Sequence, residues 1–359
     1  MPRYQVVVAY DGTDFCGWQK QEPLAHIEDA APRHVGADQP TAPTRAYAAD
    51  TPLIDSSRTG RVALRTVQGV LESAVRHAVR ERVELVGASR TDSGVHARGQ
   101  VAAFTCAPRA GAHAEPGVGW PIERGPERLA AALNSRLPPD LIIVSAALAP
   151  DDFDPISDVE RKGYSYTFHV SRLRPLFDRA FVHHIRHPGG FDLDALSRAA
   201  ALFVGTHDFA AFAAAGHGRL STVRTVHECR ITVTPANEFA GIGAPPSPAP
   251  APSTSPSASA FLPGAPPAPA EFLADTSALR VRLDISGNGF LWNMVRIIAG
   301  TLMQVGIRKR TLADVTAALE SQDRRRAGPT LAADGLCLEW IRYRQRAAIA
   351  SSVNPDAPA

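Results

Sequence analysis

The sequence predicts an α+β fold, in which helices pack on one face of largely antiparallel sheets. Short segments rich in valine, isoleucine and aromatic residues have the pattern of strands, and they occur between segments whose apolar residues recur with helical spacing. At 359 residues, the chain is also long enough for two domains with apolar cores. We therefore expect an N-terminal half at residues 1–150, a C-terminal half at 151–345 and a flexible tail at 346–359.

The first half follows the order strand, helix, strand, strand, helix, strand. Its first helix begins after Thr66, a typical N-cap residue, and the apolar residues that follow recur every three or four positions. The predicted elements are a strand at 4–12, a helix at 66–82, strands at 83–89 and 99–107, a helix at 126–138 and a strand at 141–150.

The second half begins with a strand in which Tyr164, Tyr166 and Phe168 alternate with polar residues, as in a half-buried strand. A later apolar helix carries one arginine, Arg296, and a buried arginine requires a carboxylate or a phosphate as its partner. The predicted elements are a strand at 161–172, a helix at 191–212, strands at 225–234 and 278–289, helices at 290–306 and 311–321 and a strand at 336–343.

Two segments interrupt these patterns. Residues 22–62 are dense in alanine, proline, aspartate and threonine without sustained periodicity, and residues 235–273 are a low-complexity run of proline, alanine and serine. Neither segment has enough apolar residues to offset the entropy lost on ordering. We therefore expect both insertions to be mobile loops.

Composition argues against several classes of protein. No segment approaches the roughly 20 consecutive apolar residues of a membrane helix, and the N-terminus lacks a signal-peptide layout, so we expect a cytoplasmic protein. The four cysteines are scattered singly, which predicts buried or free thiols instead of a metal site or disulfides. The net charge of +2 does not indicate a nucleic-acid binder, although all but three of the 38 basic residues are arginines, which suit phosphate.

The segment GASRTDSGVHARGQ, residues 87–100, places one carboxylate, Asp92, among small residues. Two roles are open for Asp92. It is either a turn residue whose carboxylate caps backbone amides, or a reactive carboxylate at a pocket. Arg90 favours the second interpretation, because alternate residues of an extended segment lie on one side and can pair. His96 and Gln100 are candidate pocket residues, and each fits a structural hydrogen-bonding role equally well.

Eight ordered blocks extend this pattern to nearly the whole chain outside the insertions and the tail. They are YDGTDFCGWQKQ, TVQGVLESAV, GASRTDSGVHARGQVAAF, KGYSY, RLRP, GTHDFAAF, GFLWNMVRIIAGTLMQVG and AGPTLAADGLCLEW. In this order and context, the blocks resemble the TruA family of tRNA pseudouridine synthases. The resemblance implies two ferredoxin-like or RRM-like halves with mainly antiparallel sheets, joined around a central RNA-binding cleft.

The resemblance also implies an activity, the isomerisation of uridine to pseudouridine at positions 38 to 40 in the anticodon arm of tRNA. It implies a homodimer that needs no cofactor and no metal. Asp92 matches the family's essential aspartate, which attacks C6 of the base or C1′ of the sugar, or assists glycosidic cleavage. Arg90 resembles the arginine that pairs with this aspartate, Tyr164 the tyrosine that stacks on the flipped base, and Arg296 a second active-site arginine.

Some features of the sequence are ambiguous or depart from the family pattern. Residues 11–19 match a block near the cleft but also fit a tight turn, and residues 324–326 fit a phosphate-binding patch or a solvated helix end. Ser89 stands where the family usually has glycine, and Ile156 where many relatives have arginine. Two other functions stay open: a non-catalytic RNA-binding protein on the same scaffold, and a nucleosidase, which would need a second acid.

Overall fold

The computed structural model describes residues 1–21, 64–108, 117–186, 190–214, 220–236 and 278–344. The predicted insertion at 22–62 and the tail at 346–359 lie outside the described residues, as do all but the first two residues of 235–273. The chain divides into two compact units. The first consists of Met1–Tyr164, Ser286–Gly289 and Leu338–Ala359, and the second of Ser165–Ile285 and Phe290–Cys337. The division into halves at residue 150 stays a prediction.

Ten strands and five α-helices lie within the described residues, and the predicted α+β class is confirmed. The strands are β1 (Arg3–Tyr10), β2 (Val86–Gly87), β3 (His96–Thr105), β4 (Leu141–Ala149), β5 (Val159–Val170), β6 (His183–Ile185), β7 (Gly205–Asp208), β8 (Val223–Pro235), β9 (Leu279–Gly287) and β10 (Leu336–Tyr343). The helices are α1 (Val67–Val79), α2 (Gly125–Asn134), α3 (Leu193–Ala201), α4 (Met294–Gly306) and α5 (Leu312–Ser321). None of these helices has the length and apolar character needed to cross a bilayer.

The first unit contains strands in the order β4, β1, β3, β10, β5, with β2 paired to β3. β1 lies antiparallel to both β3 and β4. Tyr4, Val6 and Val8 alternate along β1 and are buried, because successive side chains of a strand point to opposite faces. α1 begins at the predicted cap, where the Thr66 side chain accepts a hydrogen bond from the Gly69 amide. α1 contacts α2, which packs on β4.

The second unit contains strands in the order β5, β9, β8, β7. β6 runs parallel to β5, and β7 runs antiparallel to β8. α3 packs against β8 and α4. Three buried rings, those of Phe203, Phe209 and Phe212, form part of the core, with Phe203 and Phe212 edge to face at 5.1 Å between centroids.

The predicted helix at 191–212 is correct only in its first half. The Asp192 side chain caps α3 by accepting a hydrogen bond from the Ala195 amide at 3.0 Å, but α3 ends at Ala201 and β7 follows. Gly205 adopts a φ of 120°, which residues with a Cβ rarely adopt and which is incompatible with a helix. The predicted strand at 83–89 is reduced to the two residues of β2, and the short strand β6 was not predicted.

Asn134, the last residue of α2, joins this helix to β4. Its Nδ2 donates to the carbonyl oxygen of Ile143 at 2.9 Å, and its Oδ1 accepts from the Ile143 amide at 2.7 Å. β4 is the outermost strand in the order of the first unit, and backbone groups on the free side of such a strand need other partners. One side chain therefore satisfies two backbone groups of this strand.

Replacing Asn134 with alanine should lower the free energy of unfolding by about 1–2 kcal/mol, because two half-buried hydrogen bonds are lost and water replaces them only in part. Urea unfolding followed by circular dichroism measures the change. The control is Ser135→Ala, which alters the exposed next residue and should stay within about 0.5 kcal/mol of wild type. Equal stability of N134A and wild type would contradict this role of Asn134.

Candidate active site

Asp92 lies in the Asp92 loop, residues 88–95, which connects β2 to β3 in the first unit. This loop packs backbone to backbone against residues 11–18, called here the N-terminal loop. A Cβ on Gly12 would overlap the carbonyl oxygen of Val95. A Cβ on Gly17 would lie 2.9 Å from the carbonyl oxygen of Thr91, and Gly17 has a φ of 88°. Glycine is therefore required at both positions for the two loops to approach so closely.

Backbone hydrogen bonds hold the two loops together. The amide of Trp18 donates to the carbonyl oxygen of Thr91 at 3.0 Å, and the amide of Gly94 donates to that of Phe15 at 3.3 Å. The ring of Trp18 is buried against Gly87, where a Cβ would overlap it. Trp18 is thus a core residue that packs against Gly87, just before the Asp92 loop. Residues 11–18 also form hydrogen bonds to that loop, so they do more than make a tight turn.

Gln100 on β3 fixes the start of the Asp92 loop. Its Oε1 accepts from the amides of Ser89 and Val101, both at 3.2 Å, and its Nε2 donates to the carbonyl oxygen of Ser89 at 2.5 Å. Gln100 is fully buried, so these bonds satisfy both ends of an amide that would otherwise be costly to bury. Of the two roles left open for Gln100, the structure supports the structural one.

Tyr164 on β5 reaches the same loop. Its hydroxyl lies 2.9 Å from the hydroxyl of Ser89, and both residues are buried. Two positions earlier on β5, Lys162 Nζ donates to the carbonyl oxygen of Ala88 at 2.7 Å. The structure therefore brings Tyr164 and the Asp92 loop together, through two contacts that the sequence analysis did not foresee. The spacing of Lys162 and Tyr164, which puts both on one face of a strand, is the signal that was available.

The predicted ion pair between Arg90 and Asp92 stays a prediction. Arg90 is exposed, whereas Asp92 is half-buried. The prediction assumed an extended backbone through residue 92, whereas β2 ends at Gly87, before either residue. Alternate residues share one side only while the strand continues.

His96, the first residue of β3, is buried beside the N-terminal loop. Its Nδ1 lies 3.0 Å from the amide nitrogen of Gly12 and 3.2 Å from Oδ1 of Asp11. An unprotonated Nδ1 accepts from Gly12 and a protonated one donates to Asp11, so the ring links the two segments in either form. Burial alone would raise the pKa of the Asp11 carboxyl, but hydrogen bonds from His96 and Thr13 lower it to about 2.

Arg296 belongs to the second unit and lies in the first turn of α4. Its Nε donates to the carbonyl oxygen of Leu331 at 2.6 Å, and Nη1 donates to Oδ1 of Asn293 at 2.9 Å. The side chain is half-buried, less than the apolar helix pattern predicted. Polar groups of the protein therefore hold the guanidinium in a defined orientation at this end of α4.

The remaining candidate positions have simple environments. Arg324 donates to the carbonyl oxygen of Gly328 at 2.8 Å, and Arg325 pairs with Asp323 at 2.8 Å, so two of the three arginines at 324–326 have internal partners. Ile156 is 56% exposed on a turn where its amide donates to Oδ1 of Asp154 at 2.7 Å. All four cysteines are free thiols, as predicted. Within the described ranges, no group of three or more His, Cys, Asp or Glu residues is placed to hold a metal ion.

Asp92 is a half-buried carboxylate on a loop that is held by the N-terminal loop, by Gln100 and by Lys162. The buried hydroxyl of Tyr164 is bonded to the same loop. Such a loop can hold a carboxylate in one position against a ligand without help from that ligand. The site thus suits chemistry in which a single carboxylate acts on a substrate, because the aspartate need not be ordered during the reaction.

Comparison with known proteins identifies the family. A family model described as tRNA pseudouridine synthase matches residues 199–344. The chain is 30% identical over 343 residues to tRNA pseudouridine synthase A of Moorella thermoacetica, an alignment that covers 96% of this chain and all of that protein. The protein of the same name from Acetivibrio thermocellus is 29% identical over 343 residues, with the same coverage of both chains. The chain therefore belongs to the TruA family of tRNA pseudouridine synthases, enzymes that isomerise uridine in tRNA.

Proposed function

We propose that this chain isomerises uridine to pseudouridine at positions 38 to 40 in the anticodon arm of tRNA, with Asp92 as the catalytic residue. Family membership supports the reaction, and one structural observation supports the residue. The Asp92 loop is held by close glycine contacts at Gly12 and Gly17 and by the buried amide of Gln100. A turn residue that only caps amides would not need this degree of fixation.

The reaction rearranges the nucleotide without adding or removing atoms. The bond from C1′ to N1 breaks, the uracil turns, a bond forms from C1′ to C5, the proton leaves C5, and N1 is protonated. Asp92 acts on C1′ or C6, or assists cleavage of the glycosidic bond, and in each case an ionised carboxylate is the species required. The reaction needs neither a redox cofactor nor a metal for its balance.

The other residues bind the substrate in this proposal. A uridine in a stem must leave the helical stack before chemistry, which costs a few kcal/mol that contacts in the pocket recover. Tyr164 offers an aromatic face for the extruded base and a hydroxyl near the reacting carbons. The exposed guanidinium of Arg90 and the oriented guanidinium of Arg296 contact phosphate or base. His96 and Gln100 support the loop and do not touch the substrate.

The proposal extends to partner, compartment and assembly. Its partner is the anticodon arm of tRNA, its compartment is the cytoplasm, and the enzyme is a homodimer. Family membership is the support for the partner, the compartment and the assembly. A non-catalytic RNA-binding protein on the same scaffold is the alternative, and the presence of Asp92 in a fixed loop argues against it, because binding alone does not require that carboxylate.

The first test measures release of tritium from C5 of uridine in tRNA. Wild type should release tritium, and Asp92→Asn and Asp92→Ala should lower the rate by at least about 1,000-fold, because neither asparagine nor alanine supplies a carboxylate. The matched control is Asp14→Asn, which removes an exposed carboxylate from the N-terminal loop and should stay within about twofold of wild type. Binding of tRNA by wild type without tritium release would support the alternative function. Full activity of Asp92→Asn would overturn the catalytic role.

The second test concerns Arg296. Replacement by alanine should lower kcat/KM for tRNA by about 10–100-fold, because a charged group that contacts the substrate in this proposal is lost. The control is Arg325→Ala, which removes an arginine of the same unit whose side chain is 90% exposed, and this variant should stay within about threefold. Wild-type kinetics together with an unchanged Tm for R296A would contradict both a substrate contact and a structural role.

A further inference from the structure

The hydrogen bond between Ser89 and Tyr164 joins two parts of the first unit that are 75 residues apart in the chain. Ser89 is 9% exposed and Tyr164 is 8% exposed, so water has little access to either hydroxyl. The residue at position 89 is three residues before Asp92, in the same loop. The bond therefore connects the proposed base-contacting ring directly to the loop that carries the carboxylate.

Both partners of this bond are fixed independently of it. The backbone of Ser89 is held on its amide and its carbonyl by Gln100, and the preceding carbonyl, that of Ala88, accepts from Lys162. On β5, Gly163 lies against the ring of Trp340, where a Cβ would overlap the ring. Because both backbones are constrained, the direction in which the Tyr164 ring points depends on its first side-chain torsion, and a bond to the hydroxyl at the far end limits that torsion.

We infer that Ser89 is a positioning residue for uridine isomerisation, and that its hydroxyl holds the phenol of Tyr164 at a fixed place beside the Asp92 loop. The inference rests on the proposed function, in which Tyr164 contacts the target base. A serine hydroxyl is suited to this role because it can both donate and accept. The bond therefore persists in both directions. Either the phenol donates its proton to the serine oxygen, or the serine hydroxyl donates to the phenol oxygen. Glycine or alanine at position 89 offers no such partner, so this chain orients its tyrosine by a contact that those residues cannot make.

A double-mutant cycle tests the inference through tritium release from tRNA. Ser89→Ala should lower kcat by about 5–20-fold with KM within about twofold, because a poorly oriented ring affects the reaction more than the binding of a long RNA. In the Tyr164→Phe background, the same substitution should change kcat by less than about twofold, since the hydroxyl it acts on is absent. Ser89→Thr keeps the hydroxyl and should restore activity to within about threefold of wild type.

A second tyrosine provides the matched control for this cycle. The hydroxyl of Tyr10 lies 2.8 Å from the hydroxyl of Thr91, so Tyr10→Phe removes a similar bond to the same loop. In the Tyr10→Phe background, Ser89→Ala should retain its full effect. An equal effect of S89A in the Y164F and Y10F backgrounds would overturn the inference, as would wild-type kcat for S89A.

A measurement without tRNA separates this inference from the proposed function. The chain has six tyrosines, so the full-length protein labelled with carbon-13 at tyrosine Cζ gives few resonances, and Tyr164→Phe identifies the one from Tyr164. Ser89→Ala should shift that resonance and leave those of the other tyrosines in place, whereas Ser89→Thr should leave it near the wild-type position. An unmoved Tyr164 resonance in S89A refutes the inference. Absence of tritium release by wild type, with the resonance shifted, refutes the proposed function alone.

Discussion

The position of Asp92 depends on a backbone contact that only glycine permits. The N-terminal loop and the Asp92 loop approach each other at Gly12 and Gly17, where any Cβ would collide with a carbonyl group of the other loop. A collision of this kind involves backbone on both sides, so no rotation of a side chain relieves it. The amides of Trp18 and Gly94 can form their bonds across the two loops only because the backbones meet. The candidate site is thus defined first by an absence of side chains, and only then by the groups that react.

Buried polar groups around this contact add rigidity at little cost in stability, because nearly all of them have partners. Gln100 satisfies three backbone groups, and His96 has a neighbour for Nδ1 in either protonation state. A buried amide or imidazole lacking such partners would destabilise the fold, and a fully bonded one fixes a single arrangement. Extrusion of a base from a helical stack consumes part of the binding energy. A loop that is already ordered before tRNA binds requires no binding energy for its own ordering.

The sequence predicted local elements well and long-range contacts poorly. Periodicity located β1, α2 and β4, and residue type located the cap of α1 at Thr66, because each depends on neighbours in the chain. The helix at 191–212 was extended too far, since its apolar pattern continues past the point where Gly205 breaks the backbone. The Arg90–Asp92 pair stays a prediction, because the strand on which it depended ends before those residues. The bond from Ser89 to Tyr164 depends on how two distant strands are placed, and no pattern within either segment contains that information.

The two arginines that the proposal assigns to substrate binding are held in different ways, and under that proposal they contribute differently to it. Arg296 is oriented by Leu331 and Asn293 before any ligand arrives, so a contact with it costs little further side-chain entropy. Arg90 is exposed on the Asp92 loop, and under the proposed function an exposed side chain loses more rotamer entropy on contact with substrate, which reduces its contribution to affinity. Under the proposed function, the uracil turns between two bonding states. An oriented guanidinium suits the part of the substrate that stays fixed, and an adaptable one suits the part that moves.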